Sequence, residues 1–214
     1  MPASKTTIEL ATYHDEAYGM RIDSGASAFV NGQEFKRAGH SSRYVWYGKD
    51  AVLKVAYYGG QNEREAEFLS LVSKTSDARH FPAFYDAGKY PLEGSDPVTW
   101  LLCERIKPLR HKRIAQRHWD TAAILAWRYR LDDVMNLASR ENEQDALEAV
   151  ADCGGSYRTA RNWGVRYSVP VIYDCGFYQG HDWYSYSDDG INSVQDVFTR
   201  PRGVEPRTDT KDGK

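Results

Sequence analysis

Two oxygen-bearing side chains in the second half of the sequence have the types and spacing to share a hard cation. Asn162 lies in a polar stretch, and Asp174 comes twelve residues later, directly after an apolar, β-branched run and one tyrosine. Carboxylate and amide oxygens are the ligands that Mg²⁺ prefers, so a loop and a strand end that bring them together predict a magnesium site. The plainer alternative is a β-hairpin that holds no metal.

A lysine and a glutamate further upstream are candidates for an ion pair. Lys54 stands inside the apolar run VLKVA, which is typical of a buried strand. Such a lysine either extends to water or has an anionic partner, because an unpaired buried charge is costly. Residues 61–73 have the apolar spacing of an amphipathic helix, and Glu65 lies beside its apolar stripe. Glu65 is therefore the candidate anionic partner of Lys54, whereas Glu63 and Glu67 belong to a solvated face.

Small polar residues precede the first of two β-rich runs, at residues 43–47 and 51–57. Gly39, Ser41 and Ser42 lie just before that first run. Small residues let backbone N–H groups approach an anion closely, so this segment is a candidate for contacting phosphate groups.

The elements that must position these residues fall into two groups of different periodicity. Residues 35–106 predict about five antiparallel strands with one packed helix. The apolar spacing then becomes helical, at residues 110–140 and again at 144–151. Residues 1–34 contain short strands or an irregular leader, and the polar segment 201–214 is expected to be disordered.

In the order and spacing of these pieces, the chain resembles the protein-kinase-like family in a reduced form, over residues 35–178. The family's Asp-Phe-Gly motif is matched here by Asp-Cys-Gly at residues 174–176. The resemblance assigns contacts in chain order: phosphate to Gly39, Ser41, Ser42 and Lys54, pairing of that lysine to Glu65, adenine to Cys103 and Glu104, and magnesium to Asn162 and Asp174.

The resemblance implies an α+β fold, with a five-stranded antiparallel N-lobe plus one helix at residues 35–106 and a truncated, mainly helical C-lobe at residues 107–200. It also implies ATP and Mg²⁺ as cofactors. The family's catalytic Asp stands five residues before the Asn, and here that position is Tyr157. A phenol with an ordinary pKa of about 10 is a poor base at neutral pH. Asp152 is a candidate substitute.

Three functions are compatible with these residues. The first is a pseudokinase that binds Mg-ATP or a protein partner and modulates that partner. The second is an active atypical protein kinase that moves the γ-phosphate of ATP to a protein hydroxyl, with Asp152 as base or with no base. The third is a binder of nucleic acid or of an acidic partner through the basic segment 105–119. Truncated kinase-like chains of this shape resemble those that small phages encode to act on host proteins.

The composition limits the class and the location of the protein that we expect, but it does not identify a partner. A net charge of -2 over 214 residues gives no overall attraction to nucleic acid or to a membrane. The three cysteines lack metal-ligand spacing, and the six histidines are scattered, so no zinc site is expected. The N-terminal residues do not have the pattern of a secretory signal, and no apolar run approaches the length of a membrane helix. We expect a soluble, cytoplasmic protein with a protein partner or substrate.

Overall fold

The computed structural model describes residues 6–38, 43–57, 60–107, 115–131, 142–152, 162–173, 175, 193–199 and 202–203. The strands are β1 (Ile8–Leu10), β2 (Thr12–Asp15), β3 (Gly19–Ile22), β4 (Ala28–Val30), β5 (Gln33–Arg37), β6 (Tyr44–Tyr47), β7 (Ala51–Ala56), β8 (Phe84–Leu92), β9 (Ser95–Glu104), β10 (Trp163–Arg166) and β11 (Val169–Ile172). The helices are α1 (Gln61–Val72), α2 (Gln116–Arg128), α3 (Glu143–Asp152) and α4 (Val194–Thr199), with a 3-10 turn at Ala78–His80. None of these helices is long and apolar enough to cross a membrane.

One antiparallel sheet dominates the described part of the chain. Its seven strands have the order β1-β4-β5-β6-β7-β9-β8. β7 pairs with β6 on one side and with β9 on the other, from Ala51 opposite Glu104 to Ala56 opposite Thr99, so this largely apolar strand lies inside the sheet. The remaining described strands form two separate antiparallel hairpins, β2 with β3 and β10 with β11.

The expected fold class, a five-stranded lobe plus one helix followed by a mainly helical lobe, is wrong. The sheet has seven strands, because β1 and β4 from the first thirty residues join it and β5 links them to β6. β1 and β4 are only three residues long, too short to show the alternation that predicts a strand. In the second half, the described helices of 6 to 13 residues share the chain with the β10–β11 hairpin, so the fold is predominantly β.

The sheet curves until its two edges approach each other. The Tyr90 hydroxyl of β8 donates a hydrogen bond of 3.4 Å to the Leu10 carbonyl of β1. The concave face encloses an apolar cluster whose largest members are Trp46 and Trp100. Leu53 and Val55 of β7 point into this cluster, which leaves Lys54 on the opposite face because side chains alternate along a strand.

A second apolar cluster lies on that opposite face, beneath α1 and α2. The Phe68 ring of α1 packs edge-on against Phe81 and Tyr129, with centroids 5.2 and 5.7 Å away. The buried residues of α1 lie along one face of the helix, three or four positions from one another or adjacent to one that is, at Gln61, Asn62, Glu65, Phe68, Leu69 and Val72. Glu65 is therefore part of the buried stripe itself.

Candidate functional site

Lys54 and Glu65 form a buried ion pair between the sheet and α1. The Lys54 Nζ atom lies 2.6 Å from Glu65 Oε1, and the two side chains are only 8% and 0% exposed. β7 directs the lysine toward α1, and the helical period places the glutamate on the facing stripe. The contact expected from the sequence is therefore present, while its role in binding or catalysis stays a prediction.

A second cation shares the same carboxylate. The Arg43 guanidinium, just before β6, forms an ion pair with Glu65 Oε2, and Arg43 is 5% exposed. Arg43 NH1 also donates to Asn62 Oδ1 at 3.1 Å. Arg43 was not predicted from the sequence to belong to the site, because a strand-flanking arginine is usually solvated and nothing local links it to residue 65.

Asn62 ties this cluster to the sheet. Its Nδ2 atom donates to the Lys54 carbonyl at 3.1 Å and to the Thr99 carbonyl at 2.8 Å. Asn62 precedes Glu65 by three positions, so both face the sheet from the first turns of α1. That spacing is the signal by which Asn62 could have been found. The start of α1 is thus fixed relative to β7 and β9.

Glu65 remains ionised despite its burial. Burial alone raises the pKa of this carboxyl group, but the charges of Arg43 and Lys54 and their hydrogen bonds outweigh it. Together they hold the pKa of Glu65 below its ordinary value. The interior at this point therefore contains a carboxylate bound by two cations.

The β10–β11 hairpin supplies the third side of the site. Lys54 Nζ donates to the Tyr173 carbonyl at 2.9 Å, and the Tyr173 amide donates to the Asn162 carbonyl at 2.9 Å. The structure therefore brings the main chain of Asn162 and of the residue preceding Asp174 to the lysine. Asn162 is half-buried, and Asp174 lies outside the described residues.

Several contacts hold this hairpin against the rest of the molecule. The His80 ring Nδ1 lies 2.9 Å from the Pro170 carbonyl. Arg166 forms an ion pair with Glu104 and donates to the Arg79 carbonyl at 2.8 Å. A Cβ atom on Gly164 would lie 2.8 Å from the Lys107 carbonyl oxygen, so β10 approaches the chain after β9 as closely as glycine allows.

The two residues expected to contact adenine have other partners. Cys103 is buried in the second apolar cluster and lies in the ladder between Val52 and Phe84. The Glu104 carboxylate binds Arg166 and accepts from the Ala83 amide at 3.1 Å. The Glu104 amide itself donates to the Ala83 carbonyl at 2.9 Å. Contact of these two residues with adenine stays a prediction.

The structure describes only some of the remaining residues that were expected at the site. Gly39, Ser41 and Ser42 lie outside the described residues, as does Tyr157, and Asp152 is the last residue of α3. Cys175 is buried, with its Sγ atom 3.6 Å from the Ile172 carbonyl. Within the described ranges, no group of three or more His, Cys, Asp or Glu side chains is arranged to hold a metal ion.

In the described residues of the basic segment 105–119, the arginine and tryptophan side chains contact other parts of the protein, and nucleic-acid binding by the segment stays a prediction. Arg105 lies over the Tyr47 ring at 4.7 Å and donates to the Gly48 carbonyl at 2.7 Å. Trp119 is buried, with its ring centroid 4.7 Å from that of Trp163. The aromatic side chain of this segment therefore belongs to the core, and residues 108–114 lie outside the described part.

Comparisons with known proteins give little further definition. The sequence matches no protein-family model and no curated protein. Among solved structures, one match is the 2.2 Å crystal structure of WbdD, at 15% sequence identity and a TM-score of 0.38. The match covers 79% of this chain but only 40% of that one. A likeness at this level defines neither the fold nor the function of the present chain.

Proposed function

We propose that this protein binds Mg-ATP at the Lys54–Glu65 cluster and acts as a pseudokinase in the cytoplasm, modulating a protein partner with little phosphoryl transfer. Lys54 would contact the phosphates, and Asn162 and Asp174 would hold the magnesium ion. The observation that supports this most is the buried lysine itself, which bonds to Glu65 and to the carbonyl that precedes Asp174.

Stabilisation of the fold is by itself a weak explanation for such a buried cluster of charges. Replacing a buried ion pair by apolar side chains of similar volume is often neutral or stabilising, because desolvation of the charges offsets their attraction. The other residues of β7, the strand that contains Lys54, are all apolar, and Arg43 adds a second buried cation. A fixed cation on a rigid strand is, however, well suited to bind an anion such as a phosphate.

The proposed activity is mainly the binding of Mg-ATP, with little transfer of its phosphoryl group. Positioning and charge neutralisation by lysine and Mg²⁺ provide most of the acceleration in phosphoryl transfer. A general base typically adds about 10²- to 10⁴-fold, and the sequence has Tyr157 where the family has its base. We therefore expect phosphoryl transfer to be slow or undetectable.

Thermal unfolding with and without Mg-ATP tests the proposal. A ligand at 100 times its dissociation constant should stabilise the chain by about 2.7 kcal/mol. We expect a magnesium-dependent rise in Tm that is lost in Lys54→Met and in Asp174→Ala. The matched control Lys49→Met removes an exposed lysine and should keep the rise.

The absence of any rise in the unchanged protein would refute the nucleotide site. A radiolabel assay with protein substrates separates the two kinase-related functions. Transfer from ATP that disappears in Asp174→Ala would replace the pseudokinase by an active kinase, and the variant Asp152→Asn would then test the base.

A further inference from the structure

Arg166 joins three segments of the chain at the turn end of the β10–β11 hairpin. Its guanidinium forms an ion pair with Glu104, the last residue of β9. It also donates to the Arg79 carbonyl at 2.8 Å and to the Phe81 carbonyl at 3.4 Å, within and just after the 3-10 turn. A planar guanidinium can bind several acceptors at once in a fixed geometry. The turn end of the hairpin is therefore fixed both to the sheet and to the segment before β8.

Glu104 is itself held by the main chain of that segment. Its carboxylate accepts from the Ala83 amide at 3.1 Å, and its own amide donates to the Ala83 carbonyl at 2.9 Å. The His80 ring lies 2.9 Å from the Pro170 carbonyl of β11. The side chains of Arg166 and Glu104 are 24% and 21% exposed, so water and salt screen their ion pair only partly. The ion pair thus links two partners that other contacts already position.

The opposite end of the same hairpin lies at Lys54. Lys54 Nζ donates to the Tyr173 carbonyl, and the Tyr173 amide donates to the Asn162 carbonyl. The proposed magnesium ligands, Asn162 and Asp174, flank the hairpin in the sequence, whereas Lys54 belongs to the sheet. Mg²⁺ requires near-ideal octahedral geometry, with ligands at about 2.0 to 2.1 Å. A misplacement of about 1 Å in a site can cost about 100-fold in function, so the docking of the hairpin decides whether the ligands reach the metal.

We infer that Arg166 is a positioning residue of the proposed magnesium site. By binding Glu104, Arg166 fixes the hairpin, and with it the metal ligands, at the distance from Lys54 that a metal-bound triphosphate requires. The inference assigns Arg166 no contact with the nucleotide or the metal. It rests on the proposed binding of Mg-ATP and deepens it, since it assigns the Glu104 side chain to the support of the metal site and not to adenine.

Calorimetric affinities for Mg-ATP and for Ca-ATP test this role. Ca²⁺ accepts flexible coordination, whereas Mg²⁺ does not. Arg166→Met should therefore weaken the binding of Mg-ATP by about tenfold and that of Ca-ATP by less than about threefold. A variant that is only partly folded would lose both affinities alike. The matched control Arg117→Met removes an exposed arginine of α2 and should change neither affinity.

Glu104→Gln tests whether Arg166 acts through the ion pair. The glutamine keeps an oxygen for the Ala83 amide but removes the charge, so Mg-ATP binding should weaken by about three- to tenfold. Glu104→Gln combined with Arg166→Met should bind Mg-ATP within about threefold of Arg166→Met alone, because the two residues act as one unit. If the Glu104 side chain instead contacted adenine, the two losses would add.

The outcomes separate the inference from the function on which it rests. If the unchanged protein does not bind Mg-ATP, the proposed function fails and the inference fails with it. If it binds, and Arg166→Met binds Mg-ATP equally well or loses both complexes alike, only the inference is overturned. Additive losses in the double variant overturn it as well, in a comparison that needs Mg-ATP alone. Circular dichroism checks folding, and if Arg166→Met does not fold, Glu104→Gln with an unchanged affinity for Mg-ATP overturns the inference.

Discussion

Neutralising Glu65 should destabilise the protein strongly, because both buried cations lose the carboxylate they share. Glu65 is 0% exposed and binds Lys54 and Arg43, which are themselves almost fully buried. Removing one partner of a buried ion pair typically costs about 3 to 5 kcal/mol. Out of a total stability of about 5 to 15 kcal/mol, this is a large fraction. For Glu65→Gln we expect a fall in Tm on the order of 10 °C.

Urea unfolding of Glu65→Gln beside the exposed control Glu67→Gln measures this effect. The control should lie within about 0.5 kcal/mol of the unchanged protein. The pKa of Glu65 is lowered from its ordinary value of 4.5, so its ionised form stabilises the fold at any pH above that value. The difference between protein and variant should therefore disappear only as the pH falls through the lower, folded-state pKa. Equal stability of Glu65→Gln and Glu67→Gln at neutral pH would refute the account of the cluster.

Three further variants test other parts of the structure. Burial raises the pKa of Tyr129 to about 12. The folded protein therefore keeps the hydroxyl proton that the unfolded chain loses above about pH 10, so the free energy of unfolding should fall between about pH 10 and 12. Denaturant titrations over this pH range should show a smaller fall for Tyr129→Phe. The exposed turn residues Tyr167 and Ser168 have φ angles of 50° and 65°, so the double change to Asn-Gly should raise the unfolding free energy by about 1 kcal/mol, and an unchanged urea midpoint would contradict this. Gly164→Ala should cost about 1 to 3 kcal/mol through overpacking, and a variant with an unchanged melting curve would show that β10 can move away from residue 107.

The sequence predicted the parts of the site that local periodicity controls. Strand alternation and helical spacing were enough to expect the contact between Lys54 and Glu65, since each residue's direction follows from its own element. Arg43 could not be predicted in this way, because its place beside Glu65 depends on the pairing of β6 with β7 across a sheet. The two hydrogen bonds of Asn62 to main-chain carbonyls depend likewise on how the helix is docked.

The fold was predicted less well than the contact between Lys54 and Glu65, for a related reason. β7 and β9 are long and apolar, so their sequences indicate strands without outside help. The three residues of β1 and of β4 carry almost no signal of their own, and they become strands only through partners elsewhere. The prediction of five strands was therefore too low, because it left out the strands that form only through tertiary pairing.

The approach of β1 to β8 has a consequence for how the nascent chain avoids aggregation. The two edges meet through residues eighty positions apart in the sequence, Leu10 and Tyr90, so this contact forms only after most of the sheet's chain has been synthesised. Until then both edges can recruit strands from other molecules. β1 offers only three residues for such pairing, and β8 contains Pro91 and two register irregularities. The two sheet edges, which meet only late in synthesis, are thus poor templates for strand pairing with a second copy of the chain.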